Sequence, residues 1–175
     1  MTSTPQKKPR KSSTVVAKPV RKRAAKQPTL PPNPFVNEIL DYVSGQKSKI
    51  EKVEALKEYR NEALVSILIW NFDETVVSMI PEGDVPFTPN DSPQGTDHTS
   101  LRREQRNLYH FVKGGNDALS KLRRESMFIQ MLEGLHPKEA RIVVLAKDGR
   151  LHEDYAVTYD QVKEAYPDIV WGGRS

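Results

Sequence analysis

The segment Glu62 to Phe72, EALVSILIWNF, carries Leu64, Val65, Ile67, Leu68, Ile69, Trp70 and Phe72, so it is apolar on almost every side. A helix with no face to offer to water belongs at the centre of a domain, with other helices packed round it. Asn61 stands where such a helix needs an N-cap. The rest of the chain has to supply the surrounding faces. Before the segment, Phe35, Ile39, Leu40 and Val43 fall at helical spacing, and Gly45 ends that run. Ser48 and Glu51 match a capping box opening a second helix, with Ile50, Val53, Leu56 and Tyr59 as its expected inner face.

Further helices follow from the same signals. Ser100 is placed to cap LRREQRNLYHFVK, where Leu101, Leu108, Phe111 and Val112 share a side and Gly114-Gly115 supply a stop. Asn116 is placed to cap DALSKLRRESMFIQMLEGL. There Leu119, Leu122, Ile129 and Leu132 form one face, with Phe128, Met131 and Leu135 beside it. Pro137 suits the first helical position of PKEARIVVLAKDG. The run Ile142-Val-Val-Leu also fits a buried strand, although a helix is preferred. Thr158 and Gln161 match a second capping box, opening a short helix that Pro167 ends. With no internal repeat and no hairpin turn, the expected class is all-α: one compact domain of about seven short helices over 35–175.

One long segment, 81–100 (PEGDVPFTPNDSPQGTDHTS), interrupts the helices. Asp91, Ser92, Asp97, His98 and Ser100 have the residue types of a hydrolase site, but no strand–turn–helix context supports a nucleophile. The same residues favour loops for turn and capping reasons. Pro86 and Pro89 bracket Phe87, fixing backbone angles round an aromatic anchor. The expectation is an ordered crossover packed by Val85 and Phe87, with Asp91 to Thr99 more exposed. No HExxH pattern, EF-hand loop or Cys/His cluster accompanies His98, His110, His136 or His152, so neither a metal nor a cofactor is expected.

Charge divides the chain unevenly. Residues 1–34 hold Lys7, Lys8, Arg10, Lys11, Lys18, Arg21, Lys22, Arg23 and Lys26 and no acid. The remaining 18 of the 27 Lys/Arg and all 23 Asp/Glu lie beyond, leaving that part at −5 although the whole chain is +4. The first 34 residues are rich in Pro, Ser, Thr and Lys and poor in large apolar side chains, so a disordered basic tail is expected. It reaches about 110 Å if extended and averages roughly 30 Å as a coil. Lys and Arg on such a tail pair with phosphates and release counterions, binding nucleic acid without sequence preference. Arg102, Arg103 and Arg106 share a helix side at spacings of three and four. They make a second candidate phosphate-contacting strip, continued by Lys121, Arg123 and Arg124; the competing reading is a solvated helix face partly paired with Glu104, Glu125 and nearby acids. A helix-turn-helix in the last third would present Tyr159, Gln161, Lys163 and Glu164 to a groove, although the connection from Gly149 to Val157 is long for that motif. The alternative has Val162, Tyr166 and Trp171 packing back on the body.

The stretches PEGDVPFTPNDSPQGTDHTSLRREQRNLYHFVKGG and KLRRESMFIQMLEGLHPKEARIVVLAKDGRLHEDY resemble a family of small uncharacterised proteins. They come from large contractile-tailed bacteriophages of the T-even type, notably phages of marine bacteria and cyanobacteria. The resemblance spans roughly residues 35–172 and leaves out the tail. It implies a setting, a protein made in an infected bacterium, and no catalytic residue.

The absence of cysteine excludes a disulfide scaffold and suits a reducing cytoplasm. No apolar run is long enough to span a bilayer, and no signal-peptide core opens the chain. The reading that results is a non-enzymatic protein in the cytoplasm of an infected host, or a minor virion component. Its acidic helical body would dock on a phage or host protein and its tail would hold nucleic acid; no membrane partner is expected. The alternative is a protein–protein interaction module with no nucleic-acid role.

Overall fold

The computed structural model describes residues 29–93, 96 and 98–172. In chain order the α-helices are α1 (Val36–Ser44), α2 (Lys49–Glu58), α3 (Glu62–Phe72), α4 (Leu101–Glu104), α5 (Lys121–Gly134), α6 (Pro137–Lys147) and α7 (Tyr159–Ala165). A 3-10 segment, Gln105–Phe111, continues α4, and a short one, Leu151–Glu153, follows α6. The class is all-α, as the apolar periodicity implied.

Helix α3 lies in the centre. Asn61 Oδ1 accepts from the Leu64 amide at 3.0 Å, so the expected cap forms. Leu64, Ile67 and Leu68 are fully buried, and each such side chain contributes roughly 1.5–3 kcal/mol. Its main partner is α6, with α4 beside it; α1 packs on α2 and α6, and α2 packs on α7. Helix α6 is the second central element, buried from Glu139 to Lys147 except for Arg141. The Ile142–Leu145 run is therefore helical and not a strand. Pro137 opens α6 at its first turn, and Gly149, at φ 69, turns the chain away after it. A side chain at Gly149 would be strained in that left-handed backbone.

Three expectations about helix faces and starts are corrected. Ile50 is 68 % exposed, and α2 buries Val53, Ala55 and Leu56 instead. Steps of three residues drift about 60° each round a helix, so Ile50 and Leu56 point about 120° apart. Ser100 holds the N-cap position of α4, but its side chain makes no capping bond. The regular turn ends at Glu104, where the chain tightens into the 3-10 segment. The Phe111 carbonyl then accepts from the Met79 amide at 2.7 Å, and the Lys113 amide donates to the Val77 carbonyl at 2.9 Å. Helix α5 starts at Lys121, not after Asn116, because the Ser120 hydroxyl takes the Arg123 amide at 3.3 Å. Leu122 is 77 % exposed as a result, and the buried stripe is Arg124, Phe128, Met131 and Leu132.

Arg124 explains the late start. It is buried, with Nε donating to the His110 carbonyl at 2.8 Å and Nη2 to the carbonyls of Asn116 and Leu119 at 2.9 and 3.0 Å. A helix begun at Asp117 would take those last two carbonyls into its own ladder. Arg124 is thus a structural fork, not the phosphate contact suggested by its place in a basic run.

The described part of the crossover is anchored at several points. The buried Lys147 ammonium donates to the carbonyls of Pro81 and Gly83 at 3.0 and 2.8 Å and to Asp148 at 2.7 Å. Asp148 in turn accepts the Gly83 amide at 3.0 Å. Val85 and Phe87 pack, half-buried, against the core. The Thr88 amide donates to Glu133 at 3.1 Å, and the Thr99 amide to the Gly134 carbonyl at 3.1 Å. Asp91 and His98 are exposed.

At the other end, packing reaches back beyond the expected start at Phe35. Leu30 packs against the core, its amide 3.4 Å from the Tyr59 hydroxyl, and Pro34 is buried. Most of the expected disordered tail, residues 1–28, lies outside the described residues. Near the chain's other terminus, α7 closes the domain. Val162 and Tyr166 are fully buried, and the Tyr166 hydroxyl donates to the Leu56 carbonyl at 2.6 Å.

Candidate nucleic-acid interface

Four segments meet where the tail joins the body. The Phe35 amide, at the N-cap of α1, donates to Glu38 Oε2 at 2.8 Å. Val36, the next residue, donates its amide to Glu139 Oε1 at 3.1 Å. The other oxygen of Glu139 accepts the Leu101 amide, the first of α4, at 2.9 Å. One fully buried carboxylate thus closes the N-termini of two helices, where free amides and the helix dipole both favour negative charge.

That junction sets the neighbouring arginines. Arg102 directs Nε and Nη2 to the Pro34 carbonyl at 3.3 and 3.1 Å, holding the root of the tail. Arg103 and Arg106 are exposed, and among the described residues neither side chain is ion-paired or hydrogen-bonded. Glu104, the acid nearest them in sequence, is engaged by Thr99 and Asn107 at 2.7 and 2.9 Å. Glu104 therefore does not pair with either arginine, while Lys121 does stand near Glu125, as the solvated, partly paired face would have it. Arg103 is in α4 and Arg106 in the 3-10 segment that continues it, three residues on. A cleft of about 240 Å³ lies here, lined by Asn33, Pro34, Phe35, Thr99, Ser100, Arg102 and Arg103.

Lys7, Lys8, Arg10, Lys11, Lys18, Arg21, Lys22, Arg23 and Lys26 lie outside the described residues. Of the continuing basic run, Lys121 stands 3.9 Å from Glu125, Arg123 is exposed, and Arg124 is consumed by backbone carbonyls.

The far end of α6 has the opposite character. A cleft of about 560 Å³ there is lined by Asp73, Glu74, Glu82 and Asp148, with Trp70, Phe72, Val76 and Ile80 among its apolar walls. Several of its polar groups hold the fold. Asp73 accepts the Thr75 and Gly172 amides at 2.9 and 3.0 Å, and Asp148 binds Lys147 and Gly83. From Glu139 to Lys147 α6 rises about 12 Å, so the free arginines and the acidic cleft sit at opposite ends of one helix. Among the described residues no three His, Asp or Glu side chains come together to hold a metal ion. No helix among them is long and apolar enough to cross a membrane.

Each residue suggested for groove reading has a partner in the fold. Gln161 accepts the Thr158 amide at 3.2 Å, Glu164 pairs with Lys49 at 2.8 Å, and Lys163 lies over the Tyr159 ring. Tyr159 itself packs on Phe72 and Trp171. Tyr159 and Glu164 thus tie α7 to the body, while the Gln161 and Lys163 contacts stay within the helix and its cap.

Sequence reasoning missed Glu139, Arg124 and Lys147 as structural groups. The available signal was a charged residue inside a strongly apolar run, which demands a partner.

These features define a small all-α domain. The chain belongs to the Family of unknown function (DUF6433), which residues 39–153 match. The match takes in Arg102, Arg103, Arg106, Glu139 and Lys147 and leaves out the tail and α7. No curated protein and no solved structure matches the chain.

Proposed function

We propose that the chain is a non-enzymatic nucleic-acid-binding accessory protein of a contractile-tailed bacteriophage, acting in the cytoplasm of the infected host or carried in the virion. The phage setting rests on the resemblance of residues 35–172. The binding role is carried by one observation: Arg103 and Arg106 stand unpaired beside the tail root that Arg102 fixes. Nine further cations precede that root in the sequence. Contacts of this kind go to phosphates, so binding is independent of sequence and weakens with salt.

The test is fluorescence anisotropy with a random-sequence DNA duplex over a salt series. About six phosphate contacts give a slope near −5 in log affinity against log salt. The double variant Arg103→Ala, Arg106→Ala lowers that slope by about two. Deleting residues 1–28 removes nearly all binding. Full-length protein that fails to bind at low salt overturns the reading. The second reading, a protein-docking module, is favoured by the −5 charge of residues 35–175 and the acidic cleft at the Lys147 end. It predicts capture of one phage or host protein whether or not the tail is present.

A further inference from the structure

A third cleft lies between the crossover and α5. Ile80 and Phe128 are buried at its floor, Val85 and Ile129 form half-buried walls, and Pro81 and Pro86 complete it. Its volume is about 190 Å³, roughly six water volumes. Cofactor and drug-sized pockets start near 300 Å³, so this one suits one or two aliphatic side chains of a peptide. Its rim is acidic throughout: Glu82, Asp84 and Glu125. Glu82 has no ion pair among the described residues, and Asp84 and Glu125 have only long ones, at 3.8 Å to Arg141 and 3.9 Å to Lys121. The occupant that fits is aliphatic and flanked by cations.

The chain carries one such segment. Val15, Val16 and Val20 are the only Val, Leu, Ile or aromatic residues ahead of Leu30, and Lys18, Arg21, Lys22 and Arg23 lie among and after them. We propose that residues 15–23 of the tail dock in this groove, with valine side chains on Phe128 and Ile129 and the basic residues on the Glu82–Asp84–Glu125 rim. The length allows it. From Leu30, the first anchored residue, Val16 reaches up to about 46 Å. A domain of this size has a radius of gyration near 15 Å and is about 40 Å across. Tethering raises the local concentration of the segment to the millimolar range, so a shallow pocket suffices. The tail cations then divide their time between the groove and phosphate, although the docking itself does not depend on the nucleic-acid reading.

The absence of native cysteine makes a direct test available. In full-length protein without nucleic acid, Val16→Cys is paired with Ile129→Cys, and separately with Val85→Cys in case the first pair disturbs packing. Under mild oxidation at low protein concentration, both pairs are expected to form an intrachain disulfide about tenfold faster than a Thr4→Cys, Ile129→Cys control. Glu82→Lys with Glu125→Lys is expected to bring the rate down to the control. Cross-linking no faster than the control for both pairs overturns the proposal. So does a product consisting only of disulfide-linked dimers, which puts a second copy in the groove.

Discussion

Replacing Glu139 by alanine tests the junction most directly. The carboxylate is fully buried and accepts the Val36 and Leu101 amides at 3.1 and 2.9 Å. Removing it leaves two buried N–H groups without that acceptor and takes negative charge from two helix N-termini. Hydrogen bonds to a charged group contribute roughly 1.5–3 kcal/mol each. Relief from burying a carboxylate offsets part of that loss. The expected cost is about 3–5 kcal/mol. Glu139→Gln keeps the shape but accepts through one oxygen, and about 2 kcal/mol is expected. Urea unfolding reads both values, with an unchanged m-value showing that the transition still covers the same surface. On heating, the alanine variant should melt roughly 10 °C lower, at about 2–4 °C per kcal/mol for a domain of this size. Glu133→Ala, which removes a solvent-facing bond to the Thr88 amide, serves as a control at under about 1 kcal/mol. If Glu139→Ala costs less than about 1 kcal/mol with m unchanged, the two amides have found other acceptors and the reasoning fails.

Arg124→Met should cost about 3 kcal/mol in a thermal melt, since three carbonyls lose a charged donor. Arg124→Lys should recover only part of this, because an ammonium cannot reproduce the planar fork. Burial pushes the Tyr155 and Tyr166 hydroxyls well above the usual tyrosine range, so the folded state keeps protons that the unfolded chain loses above about pH 10. Stability should be level below that pH and fall above it by up to about 2.7 kcal/mol per pH unit for the pair; urea midpoints at pH 9 and 11 measure this, and Tyr166→Phe should roughly halve the fall. Ile50→Thr and Leu122→Gln should change stability by no more than about 0.5 kcal/mol in urea, whereas Phe128→Ala should cost about 3–5 kcal/mol.

What could be read from the chain was what it encodes locally. Ser48 with Glu51, Asn61 before α3 and Pro137 at the head of α6 act within a few residues of themselves, and each behaves as its type implies. The central place of α3 followed from its lack of any polar face. Ile50 is misread because three-residue steps drift round a helix, whereas other misread positions have partners outside their own helix turn. Ser100 is a good cap by type, yet a carboxylate 38 residues away takes the first amide of α4. Asn116 is another, but the Arg124 fork needs its carbonyl. Lys147 reads as an end-of-helix cation and is instead spent on a loop 64 residues before it. For the candidate interface, residue type pointed to Arg102, Arg103, Arg106 and Arg124 alike. Only the fold separates two free guanidinium groups from one that holds the tail root and one that is buried.

The Glu139 junction also imposes an order on assembly. Val36 and Glu139 are 103 residues apart, and closing so long a loop costs entropy that no neighbouring contact repays early. On a chain emerging N-terminus first, α1, α2 and α3 are exposed before their shared partner α6 has been synthesised. The start of α1 therefore stays unlatched through most of translation.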